Sequence, residues 1–158
     1  MKIKKFLPKK IISGGQTGAD RAGLDVAFAC NIKTGGYIPK GRLAEDGKVP
    51  DKYNLKETNT SKYAQRTILN IVNSDATMIF HDSDVEGGTL LTYEISLKKK
   101  KPVLLVNVKD NFDECVKKIR YFLNDVKPNV LNIAGPRKSK CPDIYDEAFE
   151  ILLKVFKI

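Results

Sequence analysis

The chain contains no tryptophan, one histidine and three cysteines. The cysteines Cys30, Cys115 and Cys141 are odd in number and widely spaced, which argues against both a disulfide framework and a zinc site. The single histidine, His81, has no second imidazole near it in the sequence, and we predict no metal site. No apolar run reaches the roughly 18 residues that a membrane span needs, so we also expect no membrane partner.

The composition is that of an ordinary globular chain, with 158 residues of which 42% are hydrophobic and 30% charged. This length is enough for one hydrophobic core, so we expect a single domain over residues 1–158. Residues 1–9 form a basic lead-in without the apolar segment of a signal peptide. We therefore expect a cytoplasmic protein.

The net charge of +9 comes mainly from lysines that are spread along the chain. The densest run, residues 98–101, falls where a helix should end, and cations there complement the helix dipole. A dispersed basic surface favours a small anionic ligand over nucleic acid. We expect no nucleic-acid partner.

Extended and helical segments alternate along the chain, which predicts βαβ units and a parallel sheet. One strand is predicted over residues 33–38, and a second helix is predicted to begin near Ser61. The buried stripe of this helix is predicted to be Ala64, Ile68, Ile71 and Val72. The fold class is α/β, a three-layer Rossmann-like domain with a mainly parallel central sheet.

A glycine-rich turn at residues 13–18 follows the first strand and precedes the first helix. Glycines let the backbone approach a ligand closely, and the free N–H groups of a helix start attract anions. The spacing fits neither the dinucleotide fingerprint nor the P-loop. Asp20, in the first helical turn, competes with a bound anion, but it could accept hydrogen bonds from ligand hydroxyls or hold Mg²⁺ against a phosphate.

Three other features fall at the carboxyl edge of the predicted sheet, where ligands bind in such folds. They are the polar loop at residues 40–46, the turn Gly87-Gly88-Thr89 before a helix, and Gly135-Pro136-Arg137 after a strand. Two glycine turns that aim helix N-termini at one rim support a phosphate site. Arg66 has no carboxylate three or four residues away, which leaves it free for a phosphate or for solvent.

Five blocks of the sequence, at residues 13–25, 35–47, 63–67, 87–94 and 132–137, resemble the molybdenum carrier family. The resemblance covers roughly residues 11–156. It implies a Rossmann-like fold, a homo-oligomer, and the molybdenum cofactor, a pterin phosphate, as the carried ligand. The wider group includes the cytokinin-activating nucleotide phosphoribohydrolases, whose catalytic arginine and glutamate have similar positions to Arg66 and Glu94.

Three functions are compatible with these residues: a carrier of a phosphorylated pterin, a nucleoside-monophosphate phosphoribohydrolase with Arg66 and Glu94 as catalytic residues, and a nucleotide-sensing module without turnover. All three place a phosphorylated small molecule at the same rim. The predicted ligand-binding residues are Gly14, Gly15, Gln16, Thr17, Gly18, Asp20, Arg21, Lys40, Arg42, Glu45, Asp46, Arg66, Gly87, Gly88, Thr89, Glu94 and Arg137.

Overall fold

The computed structural model describes residues 5–157 and has a five-stranded, all-parallel sheet in the order β2-β1-β9-β7-β8. The sheet strands are β1 (Lys10–Ile12), β2 (Lys33–Gly35), β7 (Ala76–His81), β8 (Val103–Asn107) and β9 (Val130–Ala134). The short strands are β3 (Tyr37–Ile38), β4 (Leu43–Ala44), β5 (Gly47–Lys48) and β6 (Lys56–Glu57). The helices are α1 (Ala19–Ala29), α2 (Tyr63–Val72), α3 (Gly87–Lys98), α4 (Phe112–Val126) and α5 (Ile144–Phe156).

The main hydrophobic core lies between one face of the sheet and helices α1, α4 and α5. Phe80, Met78 and Ile133 project from the strands into this layer, and Phe156 covers them from α5. Helices α2 and α3 pack together over the other face. The predicted three-layer α/β architecture with a parallel sheet is confirmed.

The start of the described chain is attached to this core. Phe6 and Leu7, from the predicted basic lead-in, pack against it. The N–H groups of Lys9 and Lys10 both donate to the carbonyl oxygen of Asn129, at 2.9 and 3.0 Å. Residues 1–4 of the lead-in lie outside the described residues. Within residues 5–157, no helix combines the length and the hydropathy required to cross a bilayer.

The predicted strand over residues 33–38 is divided in two by Gly36. The φ of Gly36 is +129°, and a Cβ there would lie 2.1 Å from the carbonyl oxygen of Ser13. The chain turns at this glycine, so β2 joins the main sheet while β3 pairs in parallel with β6. The close approach fixes β2 against the loop after β1.

The predicted buried stripe of α2 is wrong except for Ile71. Ile68 and Val72 are 39% and 45% exposed, and Ala64 is exposed as well. The helix is rotated because Asn70 points inward, where its amide accepts from the N–H of Tyr37 and donates to its carbonyl, at 2.8 and 3.1 Å. The helix also begins at Tyr63 rather than near Ser61.

Helix α3 has an inverted pattern, with polar side chains inward and leucines outward. Its buried residues are Thr92 and Ser96, whose hydroxyls donate to carbonyls four residues earlier. Leu90, Leu91 and Leu97 are exposed. Helices α2 and α3 therefore present an uncovered apolar surface on one side of the protein.

Candidate functional site

A cleft of about 270 Å³ opens at the carboxyl edge of the sheet, as the fold class predicts. Its walls come from the loop after β1, the first two turns of α2, the start of α3 and the segment that follows β9. Strands β1, β9 and β7 are neighbours in the sheet, so their carboxyl ends bring together the loop after β1, the segment after β9 and the start of α3, and α2 adds its first two turns.

The loop between β1 and α1 is folded around a carboxylate of the chain itself. The Oδ2 atom of Asp20 accepts from the N–H of Gln16 at 3.3 Å, and Ser13 Oγ donates to the Asp20 carbonyl at 2.9 Å. Burial raises the pKa of Asp20 from 3.8 to about 6, against the lowering influence of Arg66, Arg21 and the N–H groups of Gln16 and Gly14. The Asp20 carboxylate therefore already occupies the anion position that the sequence assigned to a phosphate.

Arg66 crosses from α2 to this loop. Its Nη1 atom donates to the carbonyl of Gly14 at 2.8 Å, and its guanidinium lies 5.2 Å from the ring centre of Tyr63. A Cβ at position 14 would lie 2.4 Å from Nη1, so a side chain there would displace the Arg66 guanidinium from this position. Arg66 thus lines the cleft with a guanidinium that has further donors available.

The start of α3 forms the opposite wall. Glu86 precedes the helix but gives no side-chain cap, so the first amides of α3 are not used by a side chain. A Cβ on Gly88 would meet no atom within 4 Å, and a Cβ on Gly87 would lie 3.2 Å from Lys140 Nζ. This corner combines open space, free helix-start amides and a lysine ammonium.

Glu45 connects the loop after β3 to the segment after β9. It accepts from Ser139 N at 3.0 Å, from Ser139 Oγ at 2.5 Å and from Thr17 Oγ1, and it lies 3.5 Å from Arg137 Nε. Burial alone would raise the pKa of Glu45, but the hydrogen bonds from Ser139 and Thr17 and the charge of Arg137 lower it. Glu45 therefore supports the cleft wall as a carboxylate.

Arg21 and Asp25 do not form the local pair that their spacing allows. Arg21 instead pairs with Asp46 at 2.6 Å and donates to the Gly15 carbonyl. Asp25 accepts hydrogen bonds from the hydroxyls of Tyr53 and Tyr145. Both side chains hold the long loop after β3 against α1.

The polar loop and the second predicted catalytic residue lie away from the cleft. Arg42 donates to the backbone carbonyls of Pro50, Tyr53 and Leu55, so its guanidinium holds the loop together. Lys40 is exposed. Glu94 is also exposed, because the helical period of α3 turns Leu91 and Thr92, rather than position 94, toward the cleft.

Seven of the predicted residues line the cleft: Gly14, Gln16, Asp20, Arg66, Gly88, Thr89 and Arg137. The other ten lie outside its lining: Gly15, Thr17, Gly18, Arg21, Lys40, Arg42, Glu45, Asp46, Gly87 and Glu94.

Several cleft residues were not among the predicted ones, including Lys140, Asn132 and Cys141. Asn132 had a signal, since it is a polar residue within the otherwise apolar strand β9. Lys140 had no signal in the sequence, because the chain contains many lysines and nothing distinguishes this one. Cys141 Sγ donates to Asp82 Oδ1 at 3.0 Å, and burial and Asp82 raise the pKa of this thiol to about 11. Cys141 therefore stays a neutral thiol near pH 7.

Neither His81 nor any group of potential metal ligands forms a metal site among residues 5–157. His81 Nδ1 lies 2.9 Å from the Ser83 carbonyl, as expected for a satisfied residue at a strand end. Across residues 5–157, no three histidine, cysteine, aspartate or glutamate side chains are grouped so that they could hold a metal ion.

Comparison with known proteins agrees with this architecture. A crystal structure of a protein named "Putative molybdenum carrier protein", from Syntrophus aciditrophicus, shares 44% sequence identity with the chain. It superimposes with a TM-score of 0.93 over 98% of both chains. Curated proteins give no significant match. A family model described as the circularly permutated YpsA SLOG family matches residues 11–156. The resemblance seen in the sequence blocks is confirmed, and the chain belongs to the circularly permutated YpsA family of SLOG proteins.

Proposed function

We propose that this protein is a carrier that binds a phosphorylated pterin of the molybdenum-cofactor type reversibly in the cleft and performs no reaction on it. The observation that carries the proposal is the corner at the start of α3. There, Lys140 Nζ stands beside Gly87, Gly88 leaves open space, and no side chain caps the helix. The name of the 44% identical relative supports the same class of ligand.

The phosphate binds at the start of α3 rather than in the loop after β1. In that loop the Asp20 carboxylate already accepts from the backbone, and a second anion would meet its negative charge. The α3 start instead offers unpaired amides, the positive end of the helix dipole and the Lys140 ammonium. Arg66 and Arg137, which also line the cleft, add positive charge.

The organic ring of the ligand occupies the rest of the cleft. Tyr63 and Leu91 supply an aromatic and an aliphatic wall, and Gln16 and Asp20 supply polar contacts. Cys141 is the cleft's sulfur group, and its raised pKa keeps it a thiol, which is a poor ligand for a soft metal. The protein therefore recognises the phosphorylated pterin and leaves the metal to the cofactor's own ligands.

Glu94 lies on the exposed surface that α2 and α3 share. We propose that the protein forms a homo-oligomer in which a second copy of the chain covers this surface. We call this surface the α2–α3 face, and its exposed apolar residues are Tyr63, Ile68, Val72, Leu90, Leu91 and Leu97. Tyr63 and Leu91 belong both to this face and to the cleft wall. A second copy would therefore narrow the mouth of the cleft, which supports a carrier that shields its ligand.

A lysine pair tests the phosphate position. Lys140→Ala removes the ammonium beside Gly87, and we expect at least a tenfold loss of affinity for a pterin monophosphate, measured by calorimetry. Lys138→Ala is the control, because it removes the same charge from a residue outside the cleft lining and keeps the backbone N–H that Thr17 Oγ1 accepts. Equal losses in the two variants would show that only net charge matters and would contradict the assigned position.

A further inference from the structure

Building on the proposed function, we infer that the cleft recognises one hydrogen-bonding edge, the 2-amino-4-oxo pyrimidine edge that pterins share with guanine, through Gln16, Asp20 and Asn132. These three cleft residues are more than nine-tenths buried, with exposed fractions of 8%, 6% and 2%. The proposal names a ligand class that extends beyond pterins to guanine nucleotides.

Each of the three side chains has one end fixed by the protein. Gln16 Oε1 accepts from the N–H groups of Thr17 and Glu45, at 3.1 and 2.9 Å. Asn132 Nδ2 donates to Thr77 Oγ1 at 3.2 Å. Asp20 Oδ2 accepts from Gln16 N at 3.3 Å. These bonds orient the amides and the carboxylate from behind.

Gln16 Nε2 and Asn132 Oδ1 have no hydrogen-bond partner among residues 5–157. The Asp20 carboxylate accepts from the N–H of Gln16 and is influenced by the N–H of Gly14, but it keeps lone pairs that can accept from a ligand. Gln16 Nε2 is a donor, and Asn132 Oδ1 and the Asp20 carboxylate are acceptors while Asp20 is ionised. The cleft therefore offers one donor and two acceptors on buried side chains.

Several uncharged polar groups of the cleft are already satisfied. Asn70 uses both ends of its amide on the backbone of Tyr37. The Thr67 and Thr92 hydroxyls donate to helix carbonyls, and Ser83 Oγ donates to Asp82. These groups therefore do not compete with Gln16, Asp20 and Asn132 for the edge of the ligand, and the cations of the cleft are left for its phosphate.

The chemistry of this donor and these two acceptors selects the ligand edge. Guanine and pterin present a carbonyl oxygen, which accepts, and a ring N–H and an amino group, which donate. This one acceptor and these two donors match the one donor and two acceptors that the protein offers. Adenine presents an amino group beside a ring nitrogen that accepts, so it would leave buried polar atoms unpaired. Such a mismatch costs about tenfold in affinity or more.

The test compares three purine nucleoside monophosphates that present different base edges with a pterin phosphate that shares the edge of guanine. Calorimetry at pH 7, where the pterin keeps its ring N–H and Asp20 is mostly ionised, measures the binding of guanosine, adenosine and xanthosine monophosphates and of 6-hydroxymethylpterin phosphate. We expect the guanosine and pterin ligands to bind at least about tenfold more tightly than the adenosine and xanthosine ligands. Asp20→Asn replaces an acceptor by a donor, and it should shift the preference from the 2-amino ligand to the 2-oxo ligand, xanthosine monophosphate.

Two further variants keep the result decisive. Gln16→Glu replaces the donor by an acceptor and should abolish the preference for guanosine over adenosine monophosphate. Asp125→Asn is the matched control, since Asp125 is an exposed carboxylate on α4 outside the cleft lining and its loss should leave all four affinities unchanged.

The outcomes separate this inference from the function on which it rests. Similar affinities for all four ligands would overturn the inference and leave phosphate binding standing. A guanosine preference that survives both Asp20→Asn and Gln16→Glu would also overturn it. Binding of none of the four would contradict the carrier function together with the inference.

Discussion

Asp20 is the residue at which folding and binding are most clearly opposed. Its carboxylate is buried inside a glycine-rich loop, where burial raises its pKa from 3.8 to about 6. A group whose folded-state pKa exceeds its unfolded value stabilises the fold fully below the unfolded pKa, and this contribution is lost as pH rises through the folded pKa. The ionised carboxylate near pH 8 therefore costs stability, as is common at binding sites.

Asp20→Asn should stabilise the protein at pH 8 and should do so much less at pH 4.5. The pKa difference of about two units corresponds to an upper limit of about 3 kcal/mol at pH 8. Urea unfolding at the two pH values measures the effect, with Asp84→Asn as the exposed control. No gain at pH 8, or an equal gain at both pH values, would show that the carboxylate is not buried at a cost.

At this scale, the sequence identified the residues whose environment is local. Gly14, Gln16 and Arg66 were predicted, because a glycine turn before a helix and an unpaired arginine are visible in the sequence. In the structure, Arg21 and Asp25 do not form the ion pair that their spacing allows. Asp46 binds Arg21 instead, and two tyrosines bind Asp25, all from distant segments of the chain. Tertiary partners of charged residues have no signal in a single sequence.

At the scale of elements, the start of α3 is where the helix propensity of one residue and the space for the ligand conflict. Gly88 lies in a helix with a φ outside the positive region, and a Cβ there would meet nothing within 4 Å. Neither backbone conformation nor packing requires a glycine at this position. The open space lies on the cleft wall, where a ligand would use it.

Gly88→Ala is expected to raise the stability of the protein and to weaken ligand binding. The alanine should add about 0.5–1 kcal/mol by its helix propensity, while its methyl group blocks the approach to the α3 amides. Thermal unfolding gives the first effect, and titration with a pterin monophosphate gives the second. An alanine variant that binds the ligand as tightly as the original protein would place the phosphate elsewhere.

The alternation of strands and helices was predicted, but the boundaries of β2 and α2 and the orientation of α2 were not. The apolar period of α2 predicted that Ile68 and Val72 face the core, but Asn70 faces inward and binds Tyr37. An amphipathic pattern shows that a helix has an apolar face, but not whether its own sheet or another surface covers that face. The same ambiguity applies to the leucines of α3.

At the scale of the whole molecule, the α2–α3 face is a large apolar area on a strongly basic protein. An oligomer in which two copies meet at this face would bury it and would close the side of the cleft that Tyr63 and Leu91 form. The parallel sheet itself was predictable, because alternating strands and helices leave few other arrangements.

If the proposed oligomer forms through the α2–α3 face, Ile68→Glu should leave the protein monomeric. The change would add a second carboxylate to the α2–α3 face, which already carries Glu94, and this carboxylate would lose its hydration on association without an assured partner. Light scattering after size exclusion should give at least twice the monomer mass for the original protein and the monomer mass for the variant. Tyr121→Glu is the control, because Tyr121 is an exposed apolar residue on α4, outside this face. A monomeric original protein would contradict the proposed assembly.

The most direct test of the carrier function compares one ligand with and without its phosphate. Titration calorimetry of 6-hydroxymethylpterin phosphate and of unphosphorylated 6-hydroxymethylpterin measures what the α3 start and Lys140 contribute. The proposed function predicts micromolar binding of the phosphate ester and at least about tenfold weaker binding of the free pterin, because charge-assisted hydrogen bonds are lost. Equal affinity for the two compounds, or no binding of either, would contradict it.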